Sequence, residues 1–131
     1  MIYIVLNAIA IIAATLSGLA FGAAYYGIMR RTHPRMTVTL GAITTIFLAE
    51  LWLCAILAGA LILAPPKGGV WTMSLGSAFV IWTGFVVPTV IASYRFRAVA
   101  MRTALVDCGH WLGVMLVQAV VLRLIGLVAP A

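Results

Sequence analysis

The hydrophobic and polar positions along the chain form four long apolar runs separated by three short polar connections. The runs cover residues 2–29, 36–64, 70–94 and 99–128. A helix needs about 20 apolar residues to cross a hydrocarbon core of about 30 Å, so each run is long enough to span a membrane. Because lipid offers no partners to backbone amides and carbonyls, runs of this length predict helices rather than an open sheet.

Short connections predict how these helices are arranged. Pro65 and Pro66, followed by Lys67 and two glycines, form a tight turn. Pro34 prevents the first two runs from forming one continuous helix. Helices joined this closely lie antiparallel to each other. The sequence therefore predicts a single domain over residues 1–131, an all-α, integral membrane bundle of four transmembrane helices in up-down-up-down order.

The composition agrees with a membrane protein and argues against other classes. Of the 131 residues, 66% are hydrophobic and 8% are charged, and the mean hydropathy is +1.24. Soluble chains are about half apolar and about a quarter charged. The net charge of +6 comes largely from arginines in the connections, which does not predict nucleic-acid binding. Cys54 and Cys108 lie inside apolar runs and predict buried thiols rather than a disulfide framework.

The basic residues predict an orientation in the membrane. The first and third connections carry three arginines each, namely Arg30, Arg31 and Arg35, and Arg95, Arg97 and Arg102. The second connection carries only Lys67. Cytoplasmic loops carry an excess of Lys and Arg, so we expect both arginine-rich connections to be cytoplasmic and both termini to be outside. Residues 1–29 have no early basic residue and a long apolar region, which predicts a retained helix rather than a signal peptide.

Small residues recur at spacings of four on the first and last predicted helices. Ala14, Gly18 and Gly22 form one stripe, and Gly109 and Gly113 form the other. Small residues let helix backbones approach closely in lipid. Two interpretations remain open, which are packing inside the bundle and contact with a second copy or another membrane protein.

The third predicted helix contains Gly84 and Pro88. Proline has no N–H to donate to the carbonyl four residues back, which belongs to Gly84, so we expect a kink there. The kink either only shapes the bundle or acts as a hinge between two conformations.

The most costly polar residue is Glu50, near the middle of the second predicted helix. A charge at that depth costs upward of about 2.5–3.5 kcal/mol, so an unpaired Glu50 is expected to be largely neutral. With a rise of about 1.5 Å per residue, Gln118 on the fourth helix lies at the same depth, which predicts a contact between the two side chains. Glu50 is then either a structural carboxyl or a site that binds a proton or a cation.

The fourth predicted helix carries further polar residues on one face. Asp107 and His110 are three positions apart, which suits an i,i+3 hydrogen bond, and their depth places them near Tyr25 of the first helix. Arg123 lies on the opposite face, where it can extend to the outer surface. We interpret Asp107 and His110 as a structural hydrogen-bonded pair, with a proton or ligand site as the alternative.

The sequence does not predict an enzyme. Two ligands are too few for a typical zinc site, no further motif completes a ligand set around His110, and a single histidine is weak evidence for haem. A nucleophile with its base, a phosphate-binding loop and a redox dithiol are also missing from the sequence. We therefore expect no catalytic residues, no metal and no cofactor.

Two segments resemble motifs of a known family. Residues 82–85, Trp-Thr-Gly-Phe, followed by Pro88, and residues 107–111, Asp-Cys-Gly-His-Trp, are similar to motifs in the third and fourth helices of domain-of-unknown-function family 1761. Members of that bacterial four-helix membrane family usually have a Trp-Tyr pair near the end of the first helix, where residues 25–26 here are Tyr-Tyr. The resemblance implies four helices in a bacterial inner membrane, and it implies no activity.

Two functions remain open. The first is an accessory or structural subunit that packs against a larger membrane complex or against itself, which the small-residue stripes favour. The second is a small proton- or cation-coupled transporter that uses Glu50 and the polar face of the fourth helix. The expected partners are membrane lipids and either another membrane protein or a second copy of the chain.

Overall fold

The computed structural model describes residues 1–29 and 38–131, and the regular structure within them is entirely helical. The α-helices are α1 (Ile2–Leu6), α2 (Ala8–Ile28), α3 (Leu40–Leu63), α4 (Val70–Ile81), α5 (Val87–Phe96) and α6 (Met101–Ile125). A short 3-10 helix covers Pro66–Gly68, and a π-helical segment, Trp82–Val86, joins α4 to α5.

Among the described residues, four helices are long and apolar enough to cross a membrane. We refer to them as span 1 (Ala8–Ile28), span 2 (Leu40–Leu63), span 3 (Val70–Phe96) and span 4 (Met101–Ile125). Span 3 comprises α4, the π-helical segment and α5. The predicted all-α fold with four transmembrane helices is therefore confirmed.

Neighbouring spans run antiparallel, and span 4 lies at the centre of the bundle. At one end of spans 1 and 4 the side chain of Asn7 bonds both backbone groups of Val128, and at the other end the Tyr25 hydroxyl bonds the Val106 carbonyl. Span 4 contacts each of the other three spans. In its most apolar window 44% of the residues are buried, against 6% for span 3. Span 4 therefore provides more of the interior than any other span, and span 3 lies mostly on the outside.

The helix ends differ from the predicted ones where side chains or glycine interrupt the backbone ladder. The first run breaks into α1 and α2 at Asn7, because its side-chain amide competes for the Tyr3 carbonyl. The second helix begins immediately after Thr39, whose hydroxyl oxygen caps it by accepting a hydrogen bond from the Ala42 N–H. The fourth helix ends at Ile125, since Gly126 adopts a φ of 95° that favours glycine.

The connections that carry the predicted orientation are described in part. In the third connection the guanidinium carbon of Arg97 lies 5.0 Å from the centroid of the Tyr94 ring. Residues 30–37 of the first connection lie outside the described part of the chain, and they include Arg30, Arg31, Pro34 and Arg35. The orientation of the bundle in the membrane stays a prediction.

The region of the predicted kink in span 3 is the π-helical segment. Pro88 has no N–H to donate to the Gly84 carbonyl, and just before it the Val87 N–H donates to the Trp82 carbonyl five residues back. A Cβ at Gly84 would meet no described atom within 4 Å, so this glycine faces outward. The Trp82 indole turns inward, where its N–H lies 2.8 Å from the Cys108 carbonyl oxygen.

Both small-residue stripes are used inside the bundle, where spans 1 and 4 meet. Ala14 is fully buried. A Cβ at Gly22 would lie 2.7 Å from Nε2 of His110, and a Cβ at Gly109 would lie 2.9 Å from the Tyr25 hydroxyl. Equally close contacts surround the other two glycines of the stripes, Gly18 and Gly113. Each of the two spans therefore leaves room for large side chains of the other.

Gly22→Ala tests the close approach of spans 1 and 4. The added methyl group collides with His110, and overpacking of this kind costs about 1–3 kcal/mol, so we expect a lower melting temperature of the detergent-solubilised protein. Gly27→Ala on the same helix is the matched control, because no described atom lies within 4 Å of a Cβ there. Equal melting temperatures for the two variants would contradict the close approach.

Candidate functional site

Buried polar side chains lie at three levels along the bundle. The terminal level, near both chain termini, holds Asn7 and Ser74; the middle level holds Thr15, Glu50 and Gln118; and the aromatic level, near the opposite end, holds Asp107 and His110. Span 4 supplies three of these buried polar residues, spans 1, 2 and 3 supply one each, and Asn7 immediately precedes span 1. The levels differ in how completely their hydrogen bonds are satisfied.

At the aromatic level, Asp107 accepts hydrogen bonds from tyrosines of two different spans. The Tyr26 hydroxyl lies 2.7 Å from Oδ1, and the Tyr94 hydroxyl donates to Oδ2. Tyr25, predicted to lie at this depth, donates to the backbone carbonyl of Val106. Neither Tyr26 nor Tyr94 is among the predicted site residues. Tyr94 precedes Asp107 by 13 positions across a short connection, and this spacing is the signal that could have placed the two at one depth.

His110 is packed among aromatic rings. Its ring centroid lies 4.6 Å from that of Tyr26, 5.7 Å from that of Tyr25 and 5.2 Å from that of Trp111. The Asp107 carboxylate turns toward the tyrosines of spans 1 and 3, and the i,i+3 hydrogen bond between His110 and Asp107 stays a prediction. The aromatic level thus brings Tyr25, Asp107 and His110 together through ring packing and tyrosine hydrogen bonds.

The middle level brings Glu50 and Gln118 together against span 1. Glu50 is 1% exposed and Gln118 is 0% exposed. Both side chains lie against Gly18, where a Cβ would be 2.8 Å from Oε2 of Glu50 and 3.0 Å from Nε2 of Gln118. The predicted shared depth is therefore observed, but the two side chains do not bond each other. Glu50 Oε2 and both polar atoms of the Gln118 amide have no hydrogen-bond partner among the described residues.

The neighbours of Glu50 on the first two spans satisfy their own polar groups. The Thr15 hydroxyl lies 2.8 Å from the Ile11 carbonyl oxygen, and the Cys54 thiol lies 3.6 Å from the same atom. Leaving a buried polar atom without a partner costs about 1–3 kcal/mol. The unsatisfied atoms of the middle level are therefore concentrated on Glu50 and Gln118, which marks this pair as the candidate site.

Arg123 lies at the terminal level, the end of the bundle that is predicted to be outside. Its side chain does not extend freely to the surface, because other spans bond it. Its Nη2 lies 2.8 Å from the Leu61 carbonyl oxygen of span 2, and its Nε donates to the Ser74 hydroxyl of span 3. The guanidinium thereby joins three spans at one end of the bundle. The sequence pattern did not indicate these partners, because Ser74 is one of several small polar residues in the third apolar run and the other partner is a backbone carbonyl.

The chemistry available at the middle level is proton exchange and hydrogen bonding. Glu50 can gain or lose a proton, and the Gln118 amide can both donate and accept. Among residues 1–29 and 38–131, no group of three or more His, Cys, Asp or Glu side chains is placed to hold a metal ion.

A comparison with family models identifies the group of proteins to which the chain is related. A model described as "Protein of unknown function (DUF1761)" matches residues 9–123. The chain belongs to this family. No curated protein and no solved structure matches it. Membership of DUF1761 agrees with the resemblance found in the sequence and adds no activity to it.

The two DUF1761-like motifs contact each other in the structure. Trp82, which opens the first motif, donates its indole N–H to the carbonyl of Cys108 in the second motif. Asp107 and His110 of the second motif meet Tyr26 at the end of span 1, the position of the aromatic pair. Trp82 of the first motif and the second motif therefore form one continuous contact with Tyr26 between spans 1, 3 and 4.

Tyrosine-to-phenylalanine variants test the aromatic level of this DUF1761 protein. A hydrogen bond to a charged group contributes about 1.5–3 kcal/mol and one to a neutral group about 0.5–1.5 kcal/mol. We therefore expect Tyr26→Phe and Tyr94→Phe, which lose a bond to Asp107, to destabilise the protein more than Tyr25→Phe, which loses a bond to a backbone carbonyl. Denaturant unfolding in detergent micelles measures the difference. Equal losses for all three variants would contradict the expected difference between the carboxyl and the backbone acceptor.

Proposed function

We propose that this DUF1761 protein is a non-enzymatic membrane protein whose function depends on the uptake and release of a proton at Glu50. The observation that carries the proposal is the middle level, where three buried polar atoms of Glu50 and Gln118 have no hydrogen-bond partner among the described residues. Ionisable residues inside membrane spans are rare, and they often mark proton or ion pathways. The proposal includes the predicted setting, a bacterial inner membrane with both termini outside.

Gln118 suits both protonation states of Glu50. A protonated Glu50 can donate to the amide oxygen, and an ionised Glu50 can accept from the amide nitrogen. Gly18 leaves room for this exchange, because Oε2 of Glu50 and Nε2 of Gln118 both lie within 3.0 Å of the position a Cβ would occupy. A small rotation of either side chain is enough to form the hydrogen bond that each state requires.

The π-helical segment of span 3 provides a means of access to this site. Asp107 precedes Gln118 by 11 positions on span 4, which is about 16 Å along the helix. The segment Trp82–Val86 begins at the depth of Cys108, to which Trp82 is bonded. Single-turn π-helices inside α-helices are frequent at functional sites, because their widened ladder can rearrange. Because span 3 runs antiparallel to span 4, the segment extends from that depth toward the aromatic end, and we propose that its rearrangement admits water at the aromatic level, from which a proton can reach the middle level.

Glu50→Gln tests the proposal directly. The amide has nearly the shape of the carboxyl but cannot exchange a proton. In vesicles with an imposed pH gradient, we expect the wild-type protein to carry protons and the variant to fall to the level of empty vesicles. Infrared difference spectra should show a carboxylic-acid C=O band that titrates in the wild type and is missing in the variant. Proton movement that survives the substitution would overturn the mechanism.

Gly18→Ala provides a second variant that keeps the carboxyl group. Its methyl group would occupy the space between Glu50 and Gln118, so we expect slower proton movement with the infrared band retained. Gly27→Ala on the same helix is the control and should move protons at the wild-type rate, because its added methyl group meets no described atom.

An accessory subunit is a second candidate function, favoured by the outer face of span 3. No described atom lies within 4 Å of where a Cβ would be at Gly76 or Gly84, and Phe85 is 71% exposed. Small residues on an exposed face let a helix of another protein approach closely in lipid. The stripes of spans 1 and 4 do not add support, because side chains of this chain already fill them.

Isolation from native membranes in mild detergent tests the second candidate. We expect the protein to be purified either with another membrane protein in fixed stoichiometry or as a dimer. Gly76→Leu should release the partner or the second copy, because the larger side chain blocks close approach. Gly27→Leu is the control on a different span. A wild-type protein that is purified as a lone monomer would count against an accessory role and would leave the proton measurements unaffected.

A further inference from the structure

A cavity lies at the terminal end of the bundle, apart from the middle and aromatic levels. Its volume is about 170 Å³, and it lies where spans 2 and 4 end and span 3 begins. The side chains that line it are apolar except for Arg123, among them Leu61 and Met73, while polar atoms of the guanidinium and the backbone make up about half of its surface. Apolar side chains with a single guanidinium fit a ligand that is itself part apolar and part anionic.

Arg123 offers unused hydrogen-bond donors at this cavity. A guanidinium has five N–H donors in a planar fork. One, on Nε, bonds the Ser74 hydroxyl, and one, on Nη2, bonds the Leu61 carbonyl. The other three have no partner among the described residues. Two of the guanidinium's bonds thus fix its position, and the remaining donors are available to an acceptor such as a phosphate oxygen.

No acidic side chain of the chain neutralises Arg123. The sequence contains only two, Glu50 and Asp107. Leu61, which bonds Arg123, lies 11 positions beyond Glu50, or about 16 Å along the helix, and Asp107 lies 16 positions before Arg123, or about 24 Å. The carbonyl ends of α3 and α6 offset part of the charge. Lys67, in the adjoining connection, is exposed and is not among the residues that line the cavity.

We propose that this cavity binds the phosphate of an anionic phospholipid headgroup, with the glycerol and upper acyl carbons against its apolar side chains. Arg123 lies in the last turn of span 4, at the depth where a bilayer passes from hydrocarbon to headgroups. Basic pockets between transmembrane helices are known to take such headgroups. A guanidinium fork binds two phosphate oxygens at once, which an ammonium group cannot do in the same geometry.

Lipid titration of the purified full-length protein in detergent tests the proposal. We expect phosphatidylglycerol to raise the melting temperature and to remain bound in native mass spectra, and phosphatidylcholine to do neither. Arg123→Gln should weaken phosphatidylglycerol binding by about tenfold or more, and Arg123→Lys should weaken it by less. Lys67→Gln, which removes the same charge outside the cavity wall, should bind phosphatidylglycerol within about twofold of the wild type.

Further experiments distinguish lipid binding in this cavity from attraction to surface charge and from binding of a free anion. Met73→Trp fills the cavity while leaving Arg123 and its partners in place, so it should reduce lipid binding even if Arg123→Gln does not fold. Equal loss in Lys67→Gln and Arg123→Gln would overturn the proposal in favour of surface charge. Inorganic phosphate that stabilises the protein as much as phosphatidylglycerol would overturn the lipid assignment. Equal effects of the two lipids would overturn it as well.

Discussion

The close approach of spans 1 and 4 is the contact on which the rest of the structure depends. Between helices in lipid the hydrophobic effect gives little attraction, so the contact rests on shape and dispersion. Gly18 and Gly22 leave space on span 1, and Gln118 and His110 of span 4 fill that space. The polar residues of span 4 therefore face another helix rather than hydrocarbon. The order of these residues along span 4 is therefore also the order of the aromatic, middle and terminal levels along the bundle.

The aromatic and middle levels each bury a carboxyl group, and they differ in how that group is hydrogen-bonded. At the aromatic level, Asp107 accepts from Tyr26 and Tyr94, and these bonds hold three spans together. At the middle level, Glu50 and Gln118 lie side by side without bonding each other. The first arrangement suits a fixed structural tie. The second leaves room for a change of protonation and of hydrogen bonding, which is why the proposed function rests there.

The sequence predicted the fold and the depth of the polar residues but not their partners. The length of the apolar runs gives the four spans, and the rise per residue gives the shared depth of Glu50 and Gln118. One partner of Asp107, Tyr94, depends on the rotation of span 3, and a π-helical segment changes that rotation in a way that periodicity does not reveal. The direction of Arg123 likewise depends on how spans 2 and 3 pack beside it.

A purely structural middle level would be costly for the bundle. Each unsatisfied buried polar atom costs about 1–3 kcal/mol, while whole domains are stable by only about 5–15 kcal/mol. Apolar residues of similar shape at both positions would remove that cost, because exchanging both polar partners for apolar ones can be neutral or stabilising. A bundle that only has to hold itself together therefore has no need of Glu50 and Gln118. A proton that enters and leaves does need them, since its two states require a carboxyl group and an amide that can reverse its hydrogen bond.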